Sequence, residues 1–125
     1  MLDNLILSHL GHTWIFDIDG TIAKHNGYKI DGYDTLLPGV KQFFNEKIQK
    51  DDYVLLLTSR KEEFRQQTID FLKNNDIKYN YIIFDIPYGE RIVVNDKKPS
   101  GLEMSKSVNL NRNEFDISLE INDLL

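Results

Sequence analysis

Six side chains in three short clusters have the types and the spacing to do chemistry together. Asp17 and Asp19 follow Trp14-Ile15-Phe16 and precede Gly20-Thr21; Thr58-Ser59 follows Leu55-Leu56-Leu57; Asn95-Asp96 follows Val93-Val94. Each cluster ends an apolar run of strand-forming residues. Open α/β sheets bind ligands at the carboxyl ends of their strands, so three such ends on one edge would share one site. Two unpaired carboxylates repel each other, and a hard cation such as Mg²⁺ relieves that cost. A hydroxyl and loop N–H groups at a helix start suit a phosphate. A carboxylate beside both can attack phosphorus and form an aspartyl-phosphate.

The elements that must position these groups follow from the apolar pattern. Thr13 to Phe16 reads as a strand buried on both faces, because it is apolar without alternation. Tyr53 to Leu57, Tyr81 to Phe84 and Arg91 to Val94 read as the second, third and fourth strands, and Ser107 to Leu110 as a fifth. Pro38-Gly39 opens a helix with Val40, Phe43, Phe44 and Ile48 on one stripe. A second helix runs from about Lys61 to Lys73, stopped by Asn74-Asn75-Asp76, and a short one starts at Leu102. Residues 1 to 12 suit a short helix or lead-in, with Leu2, Leu5, Ile6 and Leu10 together. The tail from Phe115 to Ile121 alternates as a half-exposed strand would, although Phe115 and Leu119 also suit a helix. The polar stretch from Ile22 to Leu37 is long enough to cover a site. Strands alternating with helices predict an α/β fold, a mainly parallel sheet with helices on both faces. The link from Phe84 to Arg91 is shorter than the dozen or so residues that a parallel crossover takes.

Composition narrows the function classes. A chain of 125 residues suits one domain, 1–125, with a real core, and no apolar run nears the ~20 residues of a membrane span. Met1 to Leu10 carries Asp3 and no Lys or Arg, unlike the start of a secretory signal. Absence of cysteine excludes disulfides and thiol chemistry and agrees with a cytoplasmic location. Fifteen Lys and Arg against twenty Asp and Glu give a net charge of −5, which disfavours nucleic acid as partner. His9, His12 and His25 have no metal-ligand spacing.

Asp17-Ile18-Asp19-Gly20-Thr21 resembles motif I of the haloacid dehalogenase superfamily of phosphohydrolases. Leu55-Leu56-Leu57-Thr58 resembles its motif II and Val93-Val94-Asn95-Asp96 its motif IV, in the family's order. The resemblance covers about residues 13 to 100 and implies a Rossmann-like core without a cap domain. It makes Asp17 the nucleophile and Asp19 the acid/base. It assigns Mg²⁺ to Asp17, the main-chain carbonyl of Asp19 and Asp96, with Asn95 assisting. Thr58, beside Ser59, would bind the phosphoryl group. The family's motif III cation is missing, since Ile86 stands where a lysine is expected. Lys98 is the replacement chosen here, with Lys97, Arg60, Arg91 and Lys78 as rivals.

The short form, with Asn95-Asp96-Lys97-Lys98-Pro99-Ser100-Gly101, is similar to small capless phosphatases of capsule and surface-polysaccharide biosynthesis. It implies a small-molecule phosphate ester as partner, a phosphorylated sugar or polysaccharide precursor, with no membrane contact and a homodimer compatible with an exposed site. Plainer readings stand beside these: Thr58-Ser59 as a helix cap, Asn95-Asp96 as a turn, Lys97 and Lys98 as solvated loop. The competing functions are a catalytically weak binding or regulatory domain and a polynucleotide end-phosphatase. A phosphoacceptor signalling domain fits less well, because the Asp-x-Asp pair lies on the first strand of the expected sheet.

Overall fold

The computed structural model describes residues 3–125. Its strands are β1 (Asp3–Leu7), β2 (Thr13–Asp17), β3 (Tyr53–Leu57), β4 (Tyr81–Ile83) and β5 (Ile117–Ile121). Its helices are α1 (Gly27–Ile30), α2 (Val40–Glu46) and α3 (Arg65–Asn74), the last preceded by a 3₁₀ turn at Glu62–Phe64. The strands form a three-stranded sheet ordered β2-β3-β4 and a two-stranded sheet of β1 and β5, and every pairing is parallel. This is the α/β, Rossmann-like architecture that alternating strands and helices imply. None of the helices is long and apolar enough to cross a membrane, among the described residues.

Apolar periodicity accounts for the part of the fold that matters to the site. Val40, Phe43 and Phe44 bury one stripe of α2 against β2, where the Phe16 ring lies 4.9 Å from Phe44. Ile18, Leu56 and Leu72 are fully buried, so β2, β3 and α3 share one core with α2. Asp17 pairs with Leu57 and Leu57 with Ile83, which sets the carboxyl ends of three strands in one row. The central strand is less enclosed than its apolar run suggests. Thr13 and Ile15 are exposed, and Phe16 faces inward.

Asp52, at the mouth of β3, ties two elements at their amino ends. Its carboxylate accepts from the His12 backbone N–H at 2.9 Å, the Trp14 indole at 3.0 Å and the Gln49 backbone N–H at 2.8 Å. The side chain is 1% exposed. Asp52→Ala would strand three donors, two of them part-buried, and we expect a loss of roughly 2–3 kcal/mol in urea unfolding. A change within ~0.5 kcal/mol, the range of an ordinary surface substitution, would refute that role.

Several expected elements do not form. The segment expected as a helix or lead-in is strand β1, paired with β5 in the register Leu5↔Leu119, while Met1 and Leu2 lie outside the described residues. Its partner is the far tail, which local spacing cannot reveal. That pairing also settles the tail as a strand. The stretch from Arg91 to Val94 is not a strand, and Ile92 and Val94 are 83% and 91% exposed. The link from Phe84 is too short to return the chain for parallel pairing. Neither the helix from Leu102 nor the strand from Ser107 to Leu110 is present. Within the Ile22–Leu37 loop, one turn of helix forms as α1.

Candidate active site

Strand β2 ends at Asp17, and the chain turns at once around Ile18. That side chain is fully buried, and its carbonyl accepts from the N–H groups of Thr21, Ile22 and Ala23 at 3.2, 2.9 and 3.0 Å. Gly20 adopts φ +85°, a conformation that side chains with a Cβ rarely take, and a Cβ there would stand 3.2 Å from Arg112. With Ile18 anchored in the core, Asp17 and Asp19 on either side of it both line one pocket of about 500 Å³.

Both carboxylates are engaged by guanidinium groups. Asp17 accepts from Arg91 Nη1 at 3.0 Å and from the Thr21 hydroxyl at 3.3 Å. Asp19 uses both oxygens on Arg60, which donates from Nε and Nη2 at 3.0 Å each. The opposite side of the same guanidinium donates to Asp34 at 3.0 and 2.6 Å and to the Thr68 hydroxyl at 3.0 Å. Its carbon lies 4.1 Å over the Tyr28 ring. Arg60 has no exposed side-chain area and Asp34 only 1%. Burial works against the Arg60 charge, but its hydrogen bonds to Asp34 and Asp19 outweigh it and hold the group above its ordinary value. Two carboxylates around a buried planar fork satisfy a charge that would otherwise be very costly there.

The structure divides the residues expected at the site. Asp17, Asp19 and Ser59 line the pocket, together with Arg60 and Arg91. Thr58 is 1% exposed and sits below it, its hydroxyl accepting from the Arg60 backbone N–H at 3.1 Å. That bond is the turn-capping role open to a hydroxyl at a strand end. Asn95, Asp96 and Lys98 are exposed and do not line the pocket, because the strand that would deliver them does not form. The Lys98 N–H instead closes a local turn with Leu102.

Of the residues expected to hold Mg²⁺, Asp17 and Asp19 line the pocket and Asp96 does not. Among the described residues, no group of three or more acidic or histidine side chains is placed to hold a metal ion. The Asp17 and Asp19 side chains are paired with Arg91 and Arg60, so a divalent cation bound by either carboxylate would have to displace its arginine. Asp34 was invisible in the sequence, being one acid in a polar loop. Arg60 had a signal: a guanidinium one residue past a strand-end hydroxyl pair, adjacent to any charge at that edge.

No family model matches the chain, and no curated protein matches it. Among solved structures it is similar to a chain titled "Structure of Pnkp1/Rnl/Hen1 complex", with 26% identity and a TM-score of 0.52. The likeness covers 67% of this chain and 31% of that one, so this chain spans under a third of its neighbour. It supports the α/β fold.

Proposed function

We propose that the chain hydrolyses phosphate monoesters, with Asp17 as nucleophile, as a member of the haloacid dehalogenase type. One observation carries this reading: two carboxylates at the carboxyl end of a parallel strand line a pocket with guanidinium groups as their counter-charges. A phosphate dianion entering there competes with Asp17 for Arg91. Arg91 turns to the phosphoryl oxygens, and a freed Asp17 oxygen is left facing phosphorus. Attack forms the aspartyl-phosphate bond and breaks the ester P–O bond, and the departing oxygen takes a proton that Asp19 has first picked up from solvent. Water then attacks phosphorus, its proton returns to Asp19, and phosphate leaves with Asp17 restored. The Asp19 steps need one of its two hydrogen bonds to Arg60 to open. Arg91 is therefore the basic residue that Lys98 was expected to be. The similarity of the sequence to small capless phosphatases makes a phosphorylated sugar or capsular polysaccharide precursor the substrate within this reading.

The test is phosphate release from an aryl phosphate and a panel of sugar phosphates, with and without Mg²⁺. Arg91→Ala is expected to lower kcat/KM by roughly 10²-fold, and Arg91→Lys to restore part of it. A wild-type protein inert on the whole panel would remove the proposal. A second reading, a binding domain of weak activity, is favoured by the full engagement of Asp19 by Arg60. It predicts phosphate binding that depends on Arg91, without turnover.

A further inference from the structure

The pocket holds more positive charge than one phosphate needs. Arg60 is spent on Asp19 and Asp34, and Arg91 serves Asp17. Lys29 and Arg112 line the same pocket, and among the described residues neither forms an ion pair with a carboxylate. Lys29 stands at the end of α1, with its ammonium 5.6 Å from the Tyr28 ring centre. Arg112 packs against Gly20, where its Cγ is 3.2 Å from the place of a Cβ. His25 also lines the pocket, and its Nδ1 is buried, has no hydrogen-bond partner among the described residues and lies 3.7 Å from the same place. In a chain of net charge −5, two unmatched cations lining one pocket run against the overall balance. A cleft whose cations outnumber its carboxylates, here Lys29, Arg60, Arg91 and Arg112 against Asp17 and Asp19, concentrates anions. The volume, about 500 Å³, is that of a site for a small organic ligand rather than for a lone phosphoryl group.

We infer that the substrate carries a second phosphate group beside the one hydrolysed, held by Lys29 and Arg112. This rests on the phosphatase reading and specifies its substrate class: a small bisphosphate rather than a simple monophosphate. Arg91 binds the reacting phosphate, while Lys29 and Arg112 bind the second and fix which end of the molecule faces Asp17.

Calorimetric titration of the full chain tests it without turnover as a readout. Inorganic phosphate, a hexose monophosphate, a hexose 1,6-bisphosphate and a nucleoside 3′,5′-bisphosphate are compared at low and high salt. One of the bisphosphates is expected to bind about tenfold or more tightly than the monophosphate, the gain of one charge-assisted contact. The two arms tell a sugar-borne from a nucleoside-borne second phosphate. High salt should erode the advantage, since the cations are exposed. Lys29→Gln with Arg112→Gln should abolish it while inorganic phosphate binds within about threefold of wild type. Equal affinities for mono- and bisphosphate, or an advantage that survives the double variant, overturn the inference and leave the phosphatase reading standing. Failure of every phosphate to bind overturns both.

Discussion

Arg60→Ala is expected to lower the free energy of unfolding by about 3–5 kcal/mol, the cost of leaving a buried charge without its partner. The substitution strands Asp34, at 1% side-chain exposure, and half-strands Asp19, at 17%. It also removes the donor to the Thr68 hydroxyl and the cation over Tyr28. Urea denaturation with an unchanged m-value would measure the loss, and a value under ~1 kcal/mol would mean that the triad is peripheral to stability. Arg60→Lys should recover little. An ammonium cannot make parallel bonds to Asp19 on one side and Asp34 on the other. Because one guanidinium bonds both the pocket acid and the α1–α2 loop acid, the same variant should loosen the Asp19 carboxylate in the pocket.

Asp17→Asn separates chemistry from structure. The side chain is 37% exposed, and an amide oxygen can still accept from the Thr21 hydroxyl, so the unfolding midpoint should barely move. Turnover on any hydrolysed ester should fall by a factor on the order of 10⁴–10⁶, as when an enzyme loses its nucleophile. Phosphate binding should persist and strengthen slightly, since Arg91 no longer has a full negative charge opposite it. A variant retaining more than a few per cent of wild-type rate would exclude Asp17 as the attacking group.

How far residues alone could lead depended on whether their partners were near in sequence. Phe43 and Phe44 at helical spacing identified α2, and the apolar run Tyr53–Leu57 identified β3, because burial of a stripe or a strand is written locally. Asp17 and Asp19 were legible as a pair at a strand end for the same reason. Val93 and Val94 were misleading: β-branched residues have strand propensity, but a strand needs an edge to pair with, and six residues past Phe84 did not bring the chain to one. The clusters at 58 and 95 therefore parted, one staying beneath the pocket and the other leaving it. The triad of Arg60, Asp19 and Asp34 was the hardest to read. It joins two loops through a strand end, and no periodicity marks such a meeting. Asp19 and Arg60 each stood just past a strand end, but nothing in the sequence brought Asp34 to them.

The pairing of β1 with β5 has a kinetic consequence. Asn4 and the Ser118 hydroxyl that donates to it at 3.0 Å are 114 positions apart. Bringing such distant segments together costs an entropy of order (3/2)RT ln n, roughly 4 kcal/mol for a span of that length, before any ladder bond repays it. The β2-β3-β4 ladder closes far smaller loops, so it can assemble first and present β1 and β5 to each other. This small sheet is thus the last to zip and the first to open. Its partial unfolding leaves the strand ends that hold Asp17 and Leu57 in register, so the pocket outlives the fraying of the molecule's most distant contacts.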